Sequence, residues 1–216
     1  MRVAVICEHS GRVRDAFATR GHYAISCDIL PSATPGEHIQ GDCRDYRSLW
    51  ESMDLIICHP PCTFLSNVAN RALKEKPARR LQRKKAYDFC MWLWNLKVPK
   101  LCLENPKGFL NNRFPEGAPI KPQIIQPYYF GDREMKTTCL WLRGLPPLQH
   151  YSENDLFHQQ THTEKPEPKY ICQGEKSKGK KIYFVEGVNG VSGAERAKIR
   201  STTFLGIAAA MADQWG

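Results

Sequence analysis

Val3-Ala4-Val5-Ile6-Cys7-Glu8-His9-Ser10-Gly11 opens the chain, and after a helical stretch it is answered by His22-Tyr23-Ala24-Ile25-Ser26-Cys27-Asp28. The run from Val3 to Cys7 is continuously apolar and rich in β-branched residues, as in a strand buried on both faces. Glu8 to Gly11 is a turn. Arg12 to Arg20 then reads as a helix closed by Gly21. The second apolar run ends in an acid, Asp28. This β–turn–α–β order opens a doubly wound parallel sheet, whose ligands bind outside the carboxyl ends of the strands.

The same reading extends outward. Pro31 to Gly36 is a loop, Gly41-Asp42 follows the apolar Ile39, and Tyr46 to Met53 is a short helix. Asp54-Leu55-Ile56-Ile57-Cys58 is another buried strand, and it runs into His59-Pro60-Pro61-Cys62-Thr63-Phe64-Leu65-Ser66. A helix is expected from Ala78 to Leu96, stopped before Pro99. Lys100-Leu101-Cys102-Leu103 is a strand that leads into Glu104-Asn105-Pro106. Gln123 to Phe130 and Thr137 to Leu142 read as two more strands around Gly131-Asp132. Residues 146–190 are polar, and Ser192 to Trp215 forms one helical region or two short helices.

A thiol and a carboxylate thus fall at the ends of two strands. That pairing suits covalent catalysis on an electron-poor ring: the thiolate attacks, and the carboxyl group protonates or hydrogen-bonds the ring. The competing reading of Cys62 is one more buried thiol. Two prolines directly before it argue against a mid-strand position, because proline cannot donate to a ladder. For Glu104 the competing reading is a surface carboxylate at a strand end.

With these residues in order, the chain resembles the DNA cytosine-5 methyltransferases. The Pro-Cys nucleophile motif is Pro61-Cys62, followed by Leu65-Ser66 where that family has Phe-Ser, and its Glu-Asn dipeptide is Glu104-Asn105. Tyr129-Phe130-Gly131 matches an aromatic-glycine turn, but the arginines expected after it are replaced by Glu134-Met135-Lys136-Thr137-Thr138. Ser201 to Ala208 is similar to a shortened form of the closing motifs. The resemblance spans residues 1–142 and extends to 192–216. It implies an α/β fold: a Rossmann-like S-adenosylmethionine-dependent methyltransferase sheet with helices on both faces.

The resemblance also implies site residues. Cys62, Pro61, Glu104 and Asn105 would carry the chemistry. Glu8, Ser10, Gly11, Asp28, Asp42 and Pro60 would hold S-adenosylmethionine, with Asp28 on the ribose hydroxyls by the same physics as in dinucleotide folds. Glu8 and Ser10 stand where the family has glycines. Asp28 and Asp42 also read singly as a cap and a loop residue. DNA is the implied partner, and the base must leave the stack to meet Cys62.

The charge balance agrees with a polyanionic partner: 31 Lys and Arg against 22 Asp and Glu, for a net charge of +9. The basic run Arg71 to Lys85 matches a family loop that closes over DNA, with Arg79, Arg80, Arg83 and Lys84 on phosphates. Ser66, Lys136 and the cluster Lys178, Lys180, Lys181 complete the expected nucleic-acid contacts. An isolated charge run is otherwise a solvated face.

The length of 216 residues suits one α/β domain with a sizeable core. Residues 1–142 would form the catalytic and cofactor-binding core, 143–190 a reduced recognition segment, and 191–216 a helical segment packing back on the core. The nine cysteines are scattered and odd in number, which favours thiols in a reducing compartment over disulfides. No ligand spacing points to a metal. The absence of a long apolar run or a signal h-region leads to the expectation of a cytoplasmic protein. Two alternatives remain: methylation of a pyrimidine nucleotide or an amino group, and a degraded methylase acting as a DNA-binding decoy.

Overall fold

The computed structural model describes residues 1–67, 69, 78–168, 170–175, 178–179, 181–182 and 201–216. Seven strands form one sheet: β1 (Arg2–Ile6), β2 (Tyr23–Asp28), β3 (His38–Gln40), β4 (Leu55–Cys58), β5 (Lys100–Pro106), β6 (Gln123–Ile125) and β7 (Thr138–Arg143). Their order is β3-β2-β1-β4-β5-β7-β6. The first five are parallel; β7 runs antiparallel between β5 and β6. The order of connection reverses between β1 and β4, which is where an open α/β sheet leaves its binding crevice.

Side-chain alternation divides the core in two. Val3, Val5, Leu55, Ile57, Cys102 and Leu140 point to one face. There they meet Val13 and Phe17 of α1 (Arg12–Thr19), and Ile207, Met211 and Trp215 of the last helix (Leu205–Trp215). Ala4, Ile6, Ile56, Cys58, Leu101, Leu103 and Trp141 point to the other face. Their partners are Trp50 of α2 (Arg47–Trp50) and Cys90, Leu93 and Trp94 of α3 (Arg79–Trp94). The last helix, α4 (Leu205–Trp215), lies against α1. Covering both faces explains why the strands read as unbroken apolar runs. The fold is therefore α/β and Rossmann-like, as expected.

Three expectations differ in detail. The strand expected from Gln123 to Phe130 stops at Ile125, and Pro127–Phe130 forms a 3-10 turn with proline at its first position. The short helix after β3 begins earlier, as a 3-10 turn at Cys43–Tyr46. Strand β5 continues through Glu104, Asn105 and Pro106, because β7 pairs with all three. Helix expectations for 192–200 lie outside the described residues. Beyond the sheet, β8 (Tyr170–Ile171) and β9 (Lys181–Ile182) form a short antiparallel pair.

Candidate active site

The crevice begins at the turn after β1. Cys7 is non-glycine at φ 62°, a left-handed conformation that side chains adopt at a cost and that clusters at functional sites. It is held there because the Cys7 and Glu8 amides both donate to the Cys27 carbonyl, at 2.7 and 3.2 Å. The chain then turns back into α1. The buried Glu8 carboxylate accepts the Val13 and Arg14 amides at 2.7 and 3.2 Å, and Ser10 Oγ donates to it at 3.2 Å. An internal carboxylate thus fills the positive end of the helix, where a dinucleotide-binding fold would hold pyrophosphate.

Gly11 has a packing reason of its own. Its φ is 74°, and a Cβ there would lie 2.5 Å from Arg14 Nη2 and on Thr34 Oγ1. Arg14 is almost completely buried. It spends its guanidinium on Ser26, Ser32, Thr34 and the Pro35 carbonyl, fixing the loop after β2. At the end of β2, Asp28 Oδ1 accepts the Leu30 amide at 2.9 Å. Its second oxygen has no partner among the described residues. Asp42, after β3, is committed elsewhere: it accepts the Arg44 amide at 2.9 Å and, from one edge of its guanidinium, Nε and Nη2. Those bonds hold its pKa down to about 2.

Strands β4 and β5 bring the two chemical motifs together. They pair in parallel up to Cys58 opposite Leu103, so the next residues, His59 and Glu104, are neighbours. His59 Nδ1 lies 3.2 Å from Glu104 Oε2. One step on, Asn105 Nδ2 donates to the Pro60 carbonyl at 2.8 Å. Cys62 follows on a loop stitched to the one after β5. The Phe109 amide donates to the Leu65 carbonyl at 2.7 Å, Asn67 donates to Lys107, and Ser66 bridges Gly108. The thiol and the carboxylate therefore sit on one platform.

Burial separates the thiols. Cys58 and Cys102 are fully buried in the core, and desolvation raises both well above the usual thiol range. Burial also pushes Cys27 and Cys90 up to about 12. Cys7 is raised by its hydrogen bond with Cys43 and by burial. Cys62 is partly exposed, on a loop beyond the strand and outside both cores.

Four buried polar atoms lack a hydrogen-bond partner among the described residues and line this edge of the sheet: His9 Nε2, His59 Nε2, Asn105 Oδ1 and Gln126 Oε1. They follow β1, β4, β6 or lie on β5. Buried polar atoms are nearly always satisfied; these four fall at or near the carboxyl ends of their strands, whereas Arg79 Nε and Trp141 Nε1, likewise without a hydrogen-bond partner among the described residues, lie elsewhere. His9, His59 and Gln126 were not singled out by the sequence pattern. Their signal is spatial, although His59 stands in the quoted motif.

The basic residues divide. Arg83 Nε donates to the Phe64 carbonyl at 2.8 Å, and its guanidinium lies 4.9 Å from the Phe109 ring centre. Arg79 lies 4.8 Å from the Phe64 ring centre. These two brace the Cys62 loop against α3. Arg80 is exposed, and Lys84 pairs with Asp88 one turn on, at 2.8 Å. Lys136 lies 5.8 Å from the Phe204 ring centre. Lys178 is exposed beside the β8–β9 pair and Lys181 is exposed within β9, whereas Lys180 and residues 71–77 lie outside the described residues.

Segment 146–163 is anchored on the turn after β6. Thr161 Oγ1 donates to the Tyr129 carbonyl at 2.8 Å, and the Thr163 amide to Tyr128 at 2.9 Å. His150 Nδ1 and His162 Nε2 are 2.8 Å apart, and both rings stack on Tyr129. Among the described residues, no helix is long and apolar enough to cross a membrane, and no side-chain cluster is arranged for a metal ion.

No family model and no curated protein matches the chain. Among solved structures, the methyltransferase EhMeth of Entamoeba histolytica is similar to it, at 16% identity and a TM-score of 0.45. The likeness covers 76% of this chain and 57% of that one, so the chain spans little more than half the length of that protein.

Proposed function

We propose that the protein methylates carbon 5 of cytosine in DNA, using S-adenosylmethionine and a covalent adduct at Cys62. The observation that carries this reading is the joined platform of Cys62 and Glu104, at the ends of two adjacent parallel strands. The crevice fits the cofactor's chemistry. Glu8 at the start of α1 disfavours phosphate and tolerates a sulfonium. Asp28 keeps one carboxylate oxygen for the ribose hydroxyls. Glu8, Ser10, Gly11 and Pro60 would line the rest of the site; Asp42 would reach the adenine only by exchanging its Arg44 contacts. When bound, S-adenosylmethionine supplies an electrophilic methyl group.

The chain's own residues do the remaining work. The Cys62 thiolate adds to ring carbon 6 of a flipped cytosine, and the electron pair moves toward carbon 5. Glu104 hydrogen-bonds ring nitrogen 3 and the amino group, which makes carbon 6 electrophilic. Asn105 and Pro60 hold that carboxylate and the Cys62 turn in register. After carbon 5 is methylated, loss of its proton to a base expels the thiolate and restores the ring. Residues 143–190 would read or grip the DNA as a reduced recognition segment.

Incubation with methyl-labelled S-adenosylmethionine and, separately, duplex DNA, single strands and pyrimidine nucleotides tests the proposal. Label in 5-methylcytosine of DNA is the expected result. Label only in nucleotides or in the exocyclic amino group would move the assignment to those substrates, and DNA binding without transfer would leave a decoy.

A further inference from the structure

We propose that His59 is the positioning residue for Glu104: its Nδ1 holds the carboxyl group in the orientation that meets the cytosine ring. The inference rests on the cytosine-5 reading and deepens it. A glutamate at a strand end has several rotamers, and only some present both oxygens edge-on to a ring. A hydrogen bond from a rigid partner selects among them, which is how enzymes preorganise a catalytic group.

His59 has the required rigidity. Its amide donates to the Ile6 carbonyl at 2.9 Å, so the backbone is part of the β1–β4 ladder. Proline follows it, and its side chain is 3% exposed. The ring reaches Glu104 Oε2 at 3.2 Å, while the Glu104 side chain is 19% exposed. Among the described residues, no other hydrogen bond of the Glu104 carboxylate competes. Where Gln-x-Arg-x-Arg stands in the resembling family, this chain has Glu134 to Thr138, without an arginine. A histidine in the nucleophile motif is then the polar side chain placed to hold the glutamate. The second ring nitrogen, Nε2, is buried without a partner. That orphaned nitrogen is costly, and it would be removed by an apolar residue unless the ring served the site.

The test uses the full-length protein and five variants: His59→Asn, His59→Gln, His59→Leu, Glu104→Gln and the double variant of His59→Leu with Glu104→Gln. Asparagine sets an amide near the place of Nδ1, glutamine near that of Nε2. Single-turnover methylation of a cytosine-containing duplex should fall about 100-fold in His59→Leu, with KM for DNA within about threefold, on the scale of a misplaced catalytic group. His59→Asn should recover to within about tenfold of the natural rate, and His59→Gln should not. The double variant should be no slower than Glu104→Gln alone, because a residue that acts through Glu104 has nothing left to position. An unaltered rate in His59→Leu, better rescue by glutamine than by asparagine, or a further loss in the double variant would overturn the inference. The natural protein is also treated with DNA carrying 5-fluorocytosine. A Cys62 adduct there, with an insensitive His59, sinks this inference alone; no adduct and no methylcytosine sinks the cytosine-5 reading with it.

Discussion

Gly108 and Leu65 touch backbone to backbone: a Cβ on Gly108 would fall on the Leu65 carbonyl oxygen and within 2.8 Å of Ser66 Cα. This close approach joins the loop bearing Cys62 to the loop after Glu104. Gly108→Ala must push the two apart. Overpacking of this kind costs about 1–3 kcal/mol. We expect that loss in urea denaturation, and a fall in methylation rate larger than the loss in DNA affinity.

Cys62→Ser should abolish transfer while leaving cofactor affinity within about tenfold, since a neutral hydroxyl is a far poorer nucleophile than a thiolate. Cys58→Ser should leave transfer in place. Mass spectrometry of 5-fluorocytosine-trapped protein should put the adduct on Cys62; finding it on Cys58 would reverse the two roles. Burial of Cys58 in the core, with its thiol raised by desolvation, argues against that.

Asp28 ends β2 and Asp42 comes just after β3, but only Asp28 keeps an oxygen without a partner among the described residues. Asp28→Ala should weaken S-adenosylmethionine binding by about 1–3 kcal/mol, the scale of an unpaired buried hydrogen-bond partner. Asp42→Ala should cost less, because Arg44 already occupies that carboxylate. Calorimetry giving the reverse order would exchange their roles.

What the sequence made legible follows from physics that acts along the chain. The apolar runs around Val5, Ile57 and Cys102 are strands because both faces are covered, and period and length alone reveal that. The Cys62 and Glu104 motifs stood out for the same reason: each directly follows such a run. His59 was in plain view, yet its partner is set by the β4–β5 register, which no local pattern states. Glu8 read as a cofactor contact; that its carboxylate also accepts the first amides of α1 is set by the turn's geometry, which no local pattern states. Arg79 and Arg83 read as members of one basic run; only the fold shows that Phe64 and Phe109 lie beneath them. Pro127 was the local signal that ended β6 early.

That division among the arginines gives a prediction for DNA. Arg80→Gln should weaken binding and flatten its salt dependence, by about 0.9 in the log–log slope for each phosphate no longer neutralised. Arg83→Gln should leave the slope nearer its natural value and lower the methylation rate instead, because Arg83 braces the Phe64 carbonyl beside Cys62. Affinities at several salt concentrations, with single-turnover rates, separate the two. Equal slope changes would return Arg83 to the DNA surface.

Acid should loosen the segment anchored on Tyr129. The His150 and His162 pKa values are both lowered, by burial and, for His150, also by the neighbouring imidazole. Their hydrogen bond needs at least one neutral ring, and both rings stack on Tyr129, at 4.4 and 4.7 Å between centres. A histidine whose folded pKa lies below the unfolded value, about 6.5, binds fewer protons folded than unfolded as the pH falls past that value. Stability therefore rises with pH there, and the contribution of the pair is complete above about pH 7 and lost as acid protonates the unfolded chain. The urea midpoint should drop as the pH falls through about 6.5, the unfolded value. His150→Phe keeps a ring against Tyr129 and removes one titrating group, so its midpoint should fall less steeply over the same range. A slope as steep as that of the natural protein would place the acid sensitivity at another histidine.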